Sequence, residues 1–569
     1  MTRRSWTAAV GLVGVLSAGG ALNRAAVRGP LVLDDLAQRA MIEGTLTPGR
    51  GPFNLYDFVS GDNRTDLLAR GAIPWWSDPH LVIRFLRPLP SALVWLDHRL
   101  FGYGAYAPHL VSLLWWAGAV LAAYALYRVT AGPRAALVGV VLFAFSPTLA
   151  IPLVWLANRD TLLTLTFGAL ALTFYVRWRR DRRWRSGFAA AAAFGASALA
   201  GEYALCLAGY LVAFELCHPK ESYGRRLTGA VPAAVPLILY ALTHVALGYG
   251  TTGSGFYRDP ITAPGEYLRA LPRVLSALLA YSWLGADETA SWVGSNPFPA
   301  VLLLGGAVLV LGTTWIARRD ASRGGSGAWL VSGSVLALIP LTTTEPSRRI
   351  LGVTALGVCG ALGVLIETCV RGFRRPLRPS ALAGVAAVAI TGYVHLIAAP
   401  LETRRLSHQA VEDDLRSVAG ISIVRRPDGP VDTTLVLRAN YSTTVHWVPF
   451  LLRENAPNHW CVLSQTHEQT VAVRTSPSSV DVREDVGALF PLGPTDFFRT
   501  IPFKVGDVVE VSGMRANVLE VDDVGRPLAV HYEFNRDLDS SDVKWISADR
   551  SGFSDVIPPP VGIGVRLAR

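Results

Sequence analysis

The chain has 569 residues, 51% of them hydrophobic and only 17% charged, which excludes a single ordinary soluble domain and points to a membrane protein. Its formal net charge of +10 does not mark a nucleic-acid binder, because the basic residues collect in short clusters between apolar runs rather than along one soluble face. Cys206, Cys217, Cys359 and Cys369 lie in or beside apolar runs and Cys461 stands alone, so the five cysteines define neither a disulfide framework nor a CxxC metal spacing.

The opening MTRRSWTAAVGLVGVLSAGGAL has the charged head and short apolar stretch of a signal peptide, but it reads as an uncleaved first span at 6–22 because many apolar runs follow. Further spans are predicted at 107–128, 134–153, 159–177, 186–201, 203–217, 227–248, 298–317, 326–343, 350–370 and 380–399, each long enough or nearly so to cross roughly 30 Å of hydrocarbon. The runs 186–201 and 203–217 are short and meet at Glu202, which predicts a re-entrant pair or one bent unit. Loops rich in arginine and lysine (MTRR, the stretch 128–134, RWRRDRRWR, HPKESYGRR, ARRDASR, RGFRRPLR) alternate with poorly charged ones. By the positive-inside rule the N-terminus is cytoplasmic and the tail beyond residue 400 is extracytoplasmic. Lysine occurs only three times, so nearly all the positive charge is arginine, in keeping with a high-GC bacterial gene and a bacterial inner membrane.

The expected architecture is therefore a polytopic α-helical membrane region at 1–400 with about eleven transmembrane helices and a long first extracytoplasmic loop at 23–106. A linker or helix at 401–432 leads to an extracytoplasmic β-rich domain at 433–569. In that last region the strand-like runs TTLVLRAN, HWCVLSQ, TVAVRTS, VVEVSGMRANVLEVD and PLAVHYEF are separated by turn signals such as KVGD and DDVGRP. They predict a compact, mostly antiparallel β fold. It contains no nucleophile-base pair, phosphate loop or metal cluster; His446, Trp447, His459 and Trp460 are read as buried structural residues, with a carbohydrate-lining role as the alternative.

Polar groups at the membrane are expensive and usually mark a site. Asp34 and Asp35 in LVLDDLAQRAMIEG suit either the first turn of a helix or a general base that takes the proton of an acceptor hydroxyl. Arg84 and Arg87, beside His80, Asp78 and tryptophans, suit an interfacial anchor or a guanidinium on a lipid phosphate. Arg159 and Asp160 in WLANRD stand where they are able to pair with one another. Glu202 is a lone carboxylate between apolar runs, and Glu345, Arg348 and Arg349 occupy the turn TTTEPSRR.

The strings RFLRPLPSALVWLDHRLFG, APHLVSLLWWAGAVLAAYALYR, FAFSPTLAIPLVWLANRDTLLTLTFGALAL, ALAGEYALCLAGYLVAFEL and SRRILGVTALG, together with LVLDDLAQRAMIEG, resemble blocks of the GT-C superfamily of polytopic membrane glycosyltransferases. The similarity is to bacterial relatives of the tetratricopeptide-repeat transmembrane O-mannosyltransferases (protein O-mannosyltransferase-like). The blocks occur in family order over about residues 30–370. The chain departs from the pattern at Tyr203, Gly352 and Thr354, and no tetratricopeptide period follows.

The resemblance implies a sugar transferred from a polyprenyl-phosphate donor to an extracytoplasmic acceptor, whether protein, lipid or glycan. Asp34 or Asp35 would then be the catalytic base, and Arg87, Asp160, Glu202 and Arg349, which match charged positions of the family, would bind substrate or donor phosphate; Arg84, Arg159 and Arg348 are further candidates for that binding from their own setting in the sequence. No cofactor is required; a divalent cation is compatible with so many carboxylates, although no spacing demands one. The partners are the donor lipid, the acceptor and the bilayer, not nucleic acid. Two rivals remain: a transporter or flippase, disfavoured by the lack of an internal repeat, and a non-catalytic membrane protein that anchors or assembles others through its outer β domain.

Overall fold

The computed structural model describes residues 3–46, 48–217, 221–285, 328–372, 389, 392–425, 431–439, 444–466, 469–490, 497–511, 513–549 and 551–567. The predicted span at 298–317 and most of that at 380–399 lie outside the described residues. The chain forms two compact units, one of Met1–Gly29, Phe85–Gly248 and Pro260–Val411, the other of Pro30–Arg84, Tyr249–Asp259 and Glu412–Arg569. These interleave along the chain, whereas the sequence reading drew consecutive domains.

The first unit is helical. Helices Tyr106–Thr130, Leu156–Asp181, Tyr223–Ala246 and Gly352–Arg371 are each long and apolar enough to cross a membrane, at the runs predicted near 107–128, 159–177, 227–248 and 350–370. They make the chain a multi-pass membrane protein. The run at 134–153 is broken into Pro133–Ala144 and Pro147–Val154, bent by 52°. Pro147 lacks the N–H that would continue the helix, and the Ser146 side chain accepts from the Thr148 N–H instead. Runs 186–201 and 203–217 become helices Trp184–Ala200 and Leu207–Cys217, joined through Gly201 and a 3₁₀ turn, Glu202–Cys206. The first has 17 residues, at the short end of the length that crosses a bilayer, and the second only 11. Among the described residues the helices long and apolar enough to span by length and composition number four, or five with the bent pair, besides the shorter apolar helices Ala9–Leu22 and Ala328–Thr343. A helix not foreseen from the sequence, Pro264–Leu279, buries Val274, Ala277 and Leu278 and exposes Leu268.

Close packing in this unit depends on small residues, as expected where lipid supplies no drive to bury leucine. Tyr127 Oη donates to the Leu356 carbonyl at 2.8 Å, and Tyr210 Oη donates to the Val353 carbonyl while accepting the Gly357 N–H, both at 2.8 Å. A Cβ at Gly363 would lie 2.6 Å from the Ala135 carbonyl oxygen and 2.9 Å from the Gly139 nitrogen. These are backbone atoms that cannot swing aside. Gly363→Leu is therefore expected to cost about 3 kcal/mol or more of stability, read as a lowered thermal midpoint of the detergent-solubilised protein.

The second unit carries the strands. Its three-stranded antiparallel sheet joins β1 (Asp57–Val59), β2 (Val82–Arg84) and β3 (Gly250–Thr252). Beyond residue 412 follow β4 (Thr433–Ala439), β5 (His459–Val462), β6 (Thr470–Ser476), β7 (Ser479–Glu484), β8 (Val508–Val511), β9 (Met514–Val521), β10 (Pro527–Phe534), β11 (Val543–Asp549), β12 (Gly552–Asp555) and β13 (Gly564–Leu567). A six-stranded antiparallel sheet has the order β13-β6-β7-β10-β9-β8, and a four-stranded sheet the order β12-β11-β4-β5. In the latter β4 pairs in parallel with both β11 and β5, whereas the other pairings described beyond residue 412 are antiparallel, in line with the mostly antiparallel expectation. Parallel neighbours need a crossover, and the helical segment between residues 444 and 455 supplies it from β4 to β5.

The core of this unit includes Trp75 and Trp76 from the predicted first loop. Trp76 stacks on Phe490 with ring centres 3.9 Å apart, and Trp75 meets Phe490 and Tyr532 edge-on at 5.3 and 5.6 Å. His446 is buried beside them; its Nδ1 lies 3.2 Å from the Gly71 carbonyl, as a donor in the neutral ring. Trp447 and Trp460 are buried as well, in line with the structural reading of these aromatics.

Burial pushes the His446 imidazole down from 6.5 to about 4, because the charged form is desolvated. The unfolded chain therefore takes up a proton below about 6.5 that the folded unit refuses until about 4. Stability should fall across that window by roughly 3 kcal/mol. Denaturant midpoints of this unit's tryptophan fluorescence at successive pH values check the slope, which a non-titrating His446→Phe chain should lose.

Candidate functional site

In the helical unit three residues far apart in sequence meet. Arg87 precedes Pro88, which opens helix Pro88–Phe101 and restricts the backbone of the residue before it. Asp160 begins the helix Asp160–Asp181, and Glu202 opens the 3₁₀ turn after Gly201. Arg87 Nη1 lies 3.0 Å from Asp160 Oδ2 and its Nε donates to Glu202 Oε2 at 2.8 Å. The other oxygen of Glu202 accepts the Leu86 N–H at 2.9 Å, and Tyr240 Oη donates to the Leu86 carbonyl at 2.9 Å.

Gly201, at φ 145°, makes room for this: a Cβ there would stand 3.2–3.3 Å from the Arg87 side chain. The guanidinium also lies 4.5 Å from the centre of the Phe85 ring and 5.7 Å from that of Tyr203. Asp160 is completely buried, so its charge needs this partner. Asn158 Nδ2 donates to the other Asp160 oxygen at 3.2 Å, and His244 Nε2 lies 3.8 Å from Glu202. Arg349 sits 5.3 Å over the Trp155 ring and within Coulombic range of Asp160 and Tyr203.

Arg159 does not pair with its neighbour Asp160. Its guanidinium is buried on Asp97, on the Ser112 hydroxyl at 2.8 Å and on the Pro108 carbonyl at 2.7 Å. Successive residues of the tight turn Leu156–Arg159 and the helix after it point to different sides, which the sequence did not reveal. Arg348 pairs with Glu402 at 3.1 Å beside a cavity of about 200 Å³ lined by Ser282, Leu351, Cys359 and His395. Glu345 pairs with Arg273 at 2.8 Å.

The remaining candidates belong to the β-containing unit. Asp34 and Asp35 form the first turn of the helix Asp34–Glu43, where carboxylates meet the positive end of the dipole. Asp35 is buried and accepts the Val32 N–H at 3.3 Å. Leu33 between them has φ 48°, a conformation that a branched side chain rarely adopts. Arg84 pairs with Asp57 at 3.1 Å and covers the Tyr249 ring at 4.7 Å.

Sequence reasoning assigned no role to Asp97, Asn158, Tyr240 or His244. Asp97 and Asn158 stand inside quoted motifs, whereas Tyr240 and His244 look like ordinary members of a long apolar helix. Among the described residues no group of three or more His, Cys, Asp or Glu is arranged to hold a metal ion.

Residues 87–246, which contain Arg87, Asp160, Glu202 and His244, match the family model described as dolichyl-phosphate-mannose-protein mannosyltransferase. This stretch of the chain resembles membrane glycosyltransferases of the GT-C superfamily. No curated protein matches the chain.

Among solved structures, ArnT from Cupriavidus metallidurans bound to undecaprenyl phosphate aligns at 14% identity and a TM-score of 0.42 over 82% of this chain and 86% of that one. The Archaeoglobus fulgidus oligosaccharyltransferase tethered to an acceptor peptide aligns at 13% identity and a TM-score of 0.43 over 81% of this chain and 64% of that one. The archaeal oligosaccharyltransferase AglB from the same organism, in complex with an inhibitory peptide and a dolichol-phosphate, aligns at 11% and 0.41 over 81% and 65%. The chain thus spans less than two thirds of the archaeal enzymes.

Proposed function

We propose that this chain is a glycosyltransferase of a bacterial inner membrane that moves a sugar from a polyprenyl-phosphate donor to an extracytoplasmic acceptor. The N-terminus is cytoplasmic and the β-rich region extracytoplasmic. The observation that carries the reading is the Arg87 guanidinium clamped between Asp160 and Glu202, inside the segment that matches the mannosyltransferase family.

In the reaction an acceptor hydroxyl attacks the anomeric carbon, the bond from that carbon to the phosphate oxygen breaks, and the lipid phosphate leaves with the electron pair. The hydroxyl proton passes to Asp35 or Asp34. Arg87 and Arg349 offset the charge that grows on the phosphate, while Asp160 and Glu202 hold Arg87 in place. The apolar walls of the cavity beside Arg348 suit an isoprenoid chain. Arg159, taken up by Asp97, Ser112 and Pro108, fixes the turn that delivers Asp160, and Arg84, paired with Asp57, anchors the small sheet.

The test is transfer of labelled sugar from lipid extracts to endogenous acceptors, in membranes holding wild-type or Asp34→Asn/Asp35→Asn protein at equal abundance. A specific labelled product should appear in the wild type and drop by about a hundredfold or more in the variant. Equal labelling in both would remove the proposed base. No labelling in either across several donor lipids would leave a non-catalytic anchoring protein.

A further inference from the structure

The end of the helical unit remote from Glu202 and Asp160 carries a second polar cluster. Helix Asp160–Asp181 has 22 residues and so spans about 33 Å, with Asp160 at one end and the arginines of RWRRDRRWR at the other. The short link at Arg182–Arg183 returns the chain along helix Trp184–Ala200, and helices Leu207–Cys217 and Tyr223–Ala246 continue the alternation. Four helix ends thus gather eight arginines (177, 179, 180, 182, 183, 185, 225 and 226) against the carboxylates Asp181, Glu215 and Glu221.

The fold divides seven of these arginines into two sets, while Arg226 is half-buried with its guanidinium 5.9 Å from the centre of the Tyr223 ring. Arg179 is buried and bound to Glu215 and Glu221, and Arg182 reaches Glu221 at 3.1 Å. Arg182 Nη2 also donates to the Arg225 carbonyl at 3.2 Å, and Trp178 Nε1 to the Gly229 carbonyl at 2.9 Å. These bonds fasten the two basic segments side by side, and Glu215 and Glu221 are taken up by this inner set, whereas Asp181 is exposed and accepts the Arg183 N–H at 3.1 Å. Arg177, Arg180, Arg183, Arg185 and Arg225 are exposed around it. Interleaved with them, Trp184, Phe188, Tyr223 and Leu227 are each at least 70% exposed.

A soluble surface gains nothing from four large apolar side chains left in water among cations. Aromatic residues and arginines together at the ends of membrane helices suit the headgroup layer, where the rings enter the lipid and the guanidiniums meet phosphates. We propose that this patch is a binding surface for anionic phospholipid headgroups. Each exposed arginine contributes attraction of the size known for basic residues at charged membranes, about fivefold in affinity. The uncompensated positive charge selects anionic over zwitterionic lipid.

The experiment uses the full-length protein reconstituted in discs of equal parts phosphatidylglycerol and phosphatidylcholine, then extracted stepwise, with retained lipid counted by mass spectrometry. The wild type should retain phosphatidylglycerol in an excess of about tenfold or more. A chain with Arg180→Gln, Arg183→Gln, Arg185→Gln and Arg225→Gln should retain the two lipids nearly equally. The same four positions changed to lysine should keep most of the excess, which controls for folding because the charge returns without the planar fork. An even ratio in the wild type, or an undiminished excess in the glutamine chain, would overturn the proposal. So would loss of the excess on adding inorganic phosphate but not chloride of equal ionic strength, since the site would then belong to the free anion.

Discussion

Arg87→Ala is expected to lower sugar transfer by about a hundredfold to a thousandfold, the size seen when one charge-stabilising donor is removed from an active site. The same change removes the cation shared by Asp160, which is completely buried, and Glu202. A buried carboxylate stripped of its partner costs about 3–5 kcal/mol, so loss of activity by itself would not separate chemistry from folding. Arg87→Ala with Asp160→Asn makes that separation, because the neutral amide no longer demands a counter-ion. The double variant should recover much of the lost thermal stability and none of the transfer. Arg87→Lys should retain partial stability with little activity, since one ammonium does not reproduce contacts made from two edges of a guanidinium. Transfer at the wild-type rate by the double variant, measured with labelled donor lipid, would remove Arg87 from the mechanism.

The second large effect concerns the β-containing unit. A fragment of residues 412–569 alone should fail to show a cooperative thermal transition, although it holds ten of the unit's strands. Trp75 and Trp76 are core residues of this unit, and the strand-bearing segments also grip the backbone around them. Phe498 O accepts the Asp78 N–H at 2.8 Å, Arg499 Nη1 donates to the Trp76 carbonyl at 3.2 Å, and the His459 ring lies 3.2 Å from the Ala69 carbonyl. Within the full chain Trp76→Ala alone should cost about 3–5 kcal/mol, the usual loss for truncating a buried tryptophan. A fragment 412–569 with dispersed, native-like spectra and a sharp melting transition would refute the dependence on residues 30–84.

Much of the candidate site was legible in the sequence because an ionisable residue in an apolar run is costly wherever it sits. Glu202 stood out for that reason, and Arg87 and Asp160 for their place beside membrane-interface aromatics, in the WLANRD turn and in the family-like blocks; the structure brings those three together. Arg159 was equally conspicuous but faces away, since a tight turn sends adjacent side chains to different partners. Asp97 and Tyr240 were silent: the first sat in an ordinary amphipathic helix, and the second gains its role only from the Leu86 carbonyl that it meets.

The strands were partly visible. The strand-like runs fall on β4, β5, β6, β8, β9 and β10, whereas β12 and β13, four residues each, carry no comparable apolar run. The helix Pro264–Leu279 contains Pro272 and the charged residues Glu266, Arg269 and Arg273, so no continuous apolar run marks it in the sequence.

The sequence by itself determined the membrane class, the long apolar helices near 107–128, 159–177, 227–248 and 350–370, and the presence of a β-rich region. Length and hydropathy are local properties, and the cost of placing polar backbone in lipid makes them decisive. Only the tertiary structure decided which charges share a partner and that residues 30–84 fold with residues beyond 412. Those outcomes depend on contacts between residues more than a hundred positions apart, such as Arg87 with Glu202 or Trp76 with Phe490, and no local pattern encodes which of many possible partners a side chain finds.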